Sequence, residues 1–255
     1  MSGNLVEAMR FFGRARTNGE IQEIPGVCLI SCGLNYPAFN AAILSAPVGP
    51  YASELRQRIQ ASITHFATRN LRWTYWLCED MINEPVRRES RAIFNSFGLT
   101  ELNDPPGMFA DRLAPPRRPL PAMQIRKVSD EATRFAFAYV TSVAFEIPHP
   151  ICRDIYGSDL AWRGAFEGYV GYAGGVPVSI AGTVVTSGLA GVYSVATLPN
   201  SRRCGYAEAT VRAALAEVRE RTGIEATALQ STTSGFRLYE RMGYRKLTKF
   251  VVYIS

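Results

Sequence analysis

The chain has 255 residues, 47% of them hydrophobic and 20% charged, which is enough apolar content for one large domain or two of ordinary size. No apolar run reaches the roughly 18 residues needed to cross a bilayer, and residues 1–16 lack a signal-like apolar core, so a cytoplasmic protein without a membrane partner is expected. The net charge is +6, yet only Lys127, Lys246 and Lys249 are lysines and the arginines are spread over both halves without a basic block, so no nucleic-acid partner is expected.

In chain order, residues 1–16 read as a helix with Leu5, Met9 and Phe12 on one face. Residues 27–32 form a short apolar strand between Gly26 and Gly33. After a loop rich in Pro, Asn and Ala, Ser53 is a candidate cap for a helix to about residue 68, with Leu55, Ile59 and Ile63 at fourfold spacing. Residues 73–78 are an aromatic strand, 86–97 a helix stopping near Gly98, and 108–113 a short extended piece. Residues 114–121 are dense in proline, which favours a semi-rigid spacer. That spacer divides the chain into 1–113, a linker 114–121, and 122–255.

The second part opens with a strand at 123–128. Ser129 and Asp130 then cap a helix to about 145, whose apolar face reads as Phe135, Tyr139 and Val143. Prolines at 148 and 150 break it, and a further helix is expected over 152–162. Strands at 166–172 and 176–185 make a hairpin about Gly174-Gly175. The five cysteines (Cys28, Cys32, Cys78, Cys152, Cys204) read as free, mostly buried thiols. With only His65 and His149 beside them, no metal site is expected.

The most informative stretch follows. Residues 192–197 are strand-forming, Pro199 stops the strand, and Arg202, Arg203 and Gly205 lead into a helix carrying Val211, Ala214, Leu215 and Val218. A strand entering a helix through a basic, glycine-bearing turn suits an anion. The first N–H groups of a helix lack partners, the helix dipole favours negative charge there, and glycine allows close approach. A strand at 225–230, a helix at 234–242 and a last strand at 250–254 complete the chain.

Arg202-x-x-Gly205-x-Ala207 after a strand resembles the pyrophosphate signature of the GNAT acetyltransferases, Gln/Arg-x-x-Gly-x-Gly/Ala. Residues 234–244, ending Leu238-Tyr239-Glu240-Arg241-Met242-Gly243-Tyr244, resemble that superfamily's later Leu-Tyr-x-x-x-Gly-Phe helix. The resemblance covers about residues 122–255 and implies an α/β fold with a mixed sheet, the GNAT acyl-CoA N-acyltransferase fold. Residues 1–113 mirror the second half of such a domain, with Phe97-Gly98-Leu99 in place of its terminal turn but Pro47 and Pro50 where free N–H groups would be wanted. They read as a degenerate GNAT-like half, making the chain a tandem, or as an unrelated α+β cap.

The resemblance further implies an acetyltransferase that uses acetyl-CoA as co-substrate, needs no metal, and acts on a primary amine of a small molecule or peptide. A second copy of the chain is the one macromolecular partner the reading admits. Val195, Ala196 and Thr197 would offer free backbone groups to the pantetheine and thioester, and Arg202, Arg203, Cys204, Gly205, Tyr206 and Ala207 would take the pyrophosphate, with Gly235 near the cofactor. Tyr239 would protonate the leaving thiolate, since an ordinary phenol has a pKa of about 10 against about 8.5 for a thiol. No acid stands beside the reacting strand, so Glu146, with His149 and Glu167 as lesser candidates, is the expected base. An amine arriving deprotonated would need none. Thr232-Thr233 replaces the asparagine many relatives have. The competing reading is a non-catalytic acyl-CoA-binding sensor, and the two-part layout alone suggests transfer of a longer acyl or aminoacyl group.

Overall fold

The computed structural model describes residues 1–255. The first part contains α1 (Ser2–Arg14), β1 (Glu20–Ile24), β2 (Val27–Ser31), β3 (Ala41–Leu44), α2 (Ala52–Ala67), β4 (Thr74–Cys78), α3 (Glu84–Ser96), β5 (Thr100–Asn103) and β6 (Pro106–Ala110). The second contains β7 (Gln124–Lys127), α4 (Glu131–Phe145), α5 (His149–Tyr156), β8 (Phe166–Ala173), β9 (Val176–Thr186), β10 (Leu189–Thr197), α6 (Tyr206–Thr222), β11 (Thr227–Gln230), α7 (Phe236–Arg241) and β12 (Arg245–Ile254). No helix is long and apolar enough to cross a membrane.

All strands join one mixed sheet in the order β1-β2-β3-β4-β12-β6-β11-β10-β9-β8-β7, with β5 also on β12. The pairs β3–β4 and β10–β11 are parallel, and each is joined by a long helix, α2 or α6, because a parallel pair needs a crossover. The chain ends of the two parts are exchanged. Strand β6, which precedes the proline-rich segment, lies between β11 and β12, while β12 pairs with β4. Each part thus covers a sheet edge of the other, where unpaired backbone groups would otherwise be exposed.

Apolar packing fixes which helix covers which face. Helices α1, α4 and α5 share one cluster with Ile30, Ile43, Val170 and Val184 of the sheet. Helices α2 and α3 cover the opposite face of the first part, against Leu29, Tyr75 and Tyr253. Helices α6 and α7 cover that of the second, against Val192, Leu229 and Met108. Each fully buried side chain of this kind contributes about 1.5–3 kcal/mol relative to exposure. His65, buried on α2, bonds Ser31 at 3.0 Å and Gln22 at 3.1 Å and fastens that helix to β2 and β1.

Several expectations change. Ser53 lies inside α2 and does not cap it; the cap is Tyr51, with no side-chain bond, and the Glu54 carboxylate instead takes the Gly49 N–H at 2.6 Å. Asp130 does cap α4, in a reciprocal pair with Thr133. The buried face of α4, however, is Thr133, Phe137, Ala138, Val140 and Thr141, while Tyr139 and Val143 are 43% and 38% exposed. Helix α5 ends at Tyr156, and a separate 3-10 turn covers Leu160–Arg163. Strands β1, β3 and β5 add to the expected elements, α7 is shorter than expected, and β12 begins five residues before Phe250. The Gly174-Gly175 hairpin turn stands, both residues having positive φ. All five cysteines are free, and all but Cys204 are buried.

Candidate active site

The site begins with a fault in β10. Its register against β9 slips between Tyr193 and Ala196, with Ser194 in the left-handed region at φ 49°. Such a bulge bends and twists a strand. On its other side β10 meets β11 only at Ala190–Thr227 and Gly191–Ala228, and beyond Gly191 the two strands part. Ala196 and Thr197 still pair with β9, so their opposite edge, facing the gap, is unpaired. Val195, Ala196 and Thr197 therefore stand where free backbone groups were expected. The Thr197 hydroxyl is also shielded from water and bonds nothing in the chain.

The turn after β10 leaves a row of backbone N–H groups open. Pro199–Ser201 is a 3-10 turn, Arg203 is left-handed at φ 65°, and Gly205 caps α6 at φ 84°. A side chain at that backbone angle would be strained, so glycine is the residue that fits. The backbone N–H groups of Arg203, Cys204, Gly205, Tyr206, Ala207 and Glu208 donate to nothing else in the chain. Arg202 donates to the Thr197 carbonyl at 3.3 Å and the Ala144 carbonyl at 3.4 Å, tying the end of β10 to the end of α4. Neither Arg202 nor Arg203 pairs with an acid, and Cys204 is exposed beside them. Free N–H groups, the α6 dipole and two arginines without an acidic partner stand in one turn, an arrangement whose charge suits a diphosphate.

Tyr239 lies on the same face. Its ring packs in one apolar cluster with Val192, Leu229 and the partly buried Val195, edge-on to Tyr244 at 5.6 Å. Its hydroxyl has no bond within the chain, and burial pushes the phenol pKa well above its ordinary value. The group is thus a protonated, unspent donor beside the parted strands. Gly235 abuts this ring, but its N–H is already held by Thr232.

None of the candidate bases bonds to β10. Glu146 is the exposed, left-handed cap of α4, two residues past the carbonyl that meets Arg202, and makes no hydrogen bond to β10. His149 is exposed against Tyr139, and Glu167 is committed to Lys127 at 2.8 Å and Arg221 at 2.6 Å. A cleft of about 770 Å³ lies away from this site, between residues 112–115 and the far end of α6. Two of its arginines, Arg212 and Arg219, already pair with Glu208 and Glu225.

One constituent of the site was invisible beforehand. Asn4 of α1, almost fully buried, donates to the Val184 and Leu189 carbonyls and to Thr186, each at 3.1 Å, and accepts from the Tyr193 hydroxyl at 2.7 Å.

Comparison with solved structures shows to which fold this bulged strand, its parted neighbour and the open helix start belong. The chain has the fold of the GCN5-related N-acetyltransferases: it is similar over its whole length to one from Kribbella flavida, with TM-score 0.73, 16% identity and 93% of that chain covered. A GCN5-related N-acetyltransferase from Sphaerobacter thermophilus matches at TM-score 0.61 and 16% identity, over 90% of this chain and 76% of that one. A conserved protein of unknown function from Staphylococcus epidermidis matches at TM-score 0.63 and 15% identity, over 94% and 95%. More narrowly, residues 169–252, from β8 to β12, match the family described as FR47-like protein. No curated protein matches the sequence.

Proposed function

We propose that this protein is an N-acyltransferase that moves an acetyl group from acetyl-CoA to a primary amine of a small molecule or peptide. The observation that carries the reading is the row of unbonded N–H groups from Arg203 to Glu208, opening next to the gap between β10 and β11. The cradle suits the diphosphate, the unpaired edge of β10 suits the amides of the pantetheine arm, and the buried, unbonded Thr197 hydroxyl is a polar group that a ligand there would satisfy.

With the thioester near the bulge, the neutral amine attacks its carbonyl carbon, a C–N bond forms and the C–S bond breaks. Backbone N–H groups of the parted strand stabilise negative charge building on the carbonyl oxygen. Tyr239 gives its proton to the departing thiolate, and the amine loses its extra proton to water. Glu146 is the one exposed carboxylate at the end of α4 that could relay that proton.

The absence of an acid bonded to β10 favours the alternative, a sensor that binds acyl-CoA without reacting. Release of free CoA thiol from acetyl-CoA in the presence of an amine panel tests the choice. Amine-dependent release supports the enzyme, and saturable binding without release supports the sensor.

A further inference from the structure

The face of the parted strands opposite α6 and α7 is covered by the first turn of α1, and it carries its own unpaired polar group. Side chains alternate along β11. Thr227 bonds the Tyr244 hydroxyl and Leu229 packs in the α6–α7 cluster, so Gln230 points to the α1 face. Its partner across the ladder is Gly107, whose side-chain direction leads to Met1, Thr248 and Phe250, again on the α1 face. The Gln230 carboxamide bonds nothing in the chain, and its Nε2 is shielded from water. Leaving such a group buried and unpaired is unfavourable. By contrast, Asn4 is fully bonded and seats α1 on Gly191, where an added Cβ would overlap its Oδ1.

Around the root of the gap stand Asn4, Tyr193, Gln230, Thr248 and Phe250, with Cys78 bonded to Thr248 at 3.7 Å, and none is a carboxylate or a basic side chain. Tyr193 is bonded to Asn4, and burial holds its phenol protonated. With no carboxylate or basic side chain among these groups, an amine that is already partly neutral is favoured. An α-amine next to an amide has a pKa of about 8 against about 10.4 for a lysine-type amine, so its neutral fraction at pH 7 is larger by roughly two hundredfold or more. A carboxamide, which both donates and accepts, pairs reciprocally with an amide in the acceptor.

Resting on the acetyltransferase reading, we propose that the acceptor is an α-amine flanked by an amide, as in an amino-acid amide or a peptide N-terminus, and that Gln230 is the residue that positions it. The test is thiol release at pH 7 with glycinamide, triglycine, propylamine and the ε-amine of Nα-acetyl-lysine. Glycinamide or triglycine is expected to exceed both simple amines at least tenfold in kcat/KM; which of the two leads separates a small-molecule from a peptide source. Gln230→Leu should raise KM for the preferred amide about tenfold, leave KM for acetyl-CoA unchanged, and alter propylamine turnover less than twofold. Gln230→Met serves as a second variant if the first fails to fold. Simple amines used as well as amides, or an unchanged acceptor KM in the folded variant, overturns the assignment while leaving the transferase standing. Release with no amine at all overturns both.

Discussion

The unit β3–α2–β4 in the first part and the unit β10–α6–β11 in the second are built alike, each a parallel strand pair joined by a long helix. They differ at the start of the helix. In the first, Pro47 and Pro50 remove donors, Val48 N–H is bonded to Met81, and Glu54 places a carboxylate on the Gly49 N–H. Arg58 then closes the turn by donating to the Ala46 carbonyl at 2.6 Å and the Pro47 carbonyl at 2.9 Å and by pairing with Glu54. The first unit holds its own anion. The second leaves its N–H groups and a gap without partners, and its two arginines without an acid, so the two units differ in the open start of α6 rather than in the strand–helix–strand order itself.

The sharpest way to break this contrast is to disable each turn separately. Gly205→Val, forced to a φ of 84°, is expected to weaken CoA binding at least a hundredfold by calorimetry. Arg58→Ala should leave CoA binding within twofold but lower stability by about 2 kcal/mol, because two carbonyls and Glu54 lose their donor; a urea titration reads this directly. Equal effects of both variants on CoA binding would erase the distinction. Next in size, Tyr239→Phe should lower kcat at least tenfold while CoA affinity persists.

The same tyrosine gives a pH signature. Burial raises its pKa, so the proton is present at neutral pH and is lost only well above pH 10. Activity should therefore rise with pH toward the acceptor amine's pKa and show no falling limb below about pH 10. Smallest of all, Glu146→Gln should change kcat/KM less than threefold, given its exposed place at the cap of α4 and an amine that can lose its proton to water; a tenfold fall would make it the base.

What could be read beforehand was local. Pro199, Arg202 and Gly205 act on their own backbone, and Asp130 caps the helix that follows it, so the cradle and the start of α4 were legible. The long-range features were not. Nothing local in residues 106–110 says that they pair with 227–230 and 245–249, and the exchange of strands follows from that pairing alone. On α4 the spacing of Phe135, Tyr139 and Val143 is helical, but Phe137, Ala138, Val140 and Thr141 offer a competing buried stripe, and periodicity does not choose between two such stripes. Strand β1 (Glu-Ile-Gln-Glu-Ile) is a polar edge strand, and β3 is four residues long beside a proline-rich loop, so both lacked a signal. Asn4 and Gln230 gain meaning only once α1 is laid across β10 and β11.

The most direct test of the account is calorimetric titration of CoA into the wild-type protein and into Arg202→Ala combined with Gly205→Val. The account predicts saturable binding by the wild type that the double variant weakens by a hundredfold or more while its melting curve stays cooperative. No binding by the wild type, or equal binding by both, would contradict it.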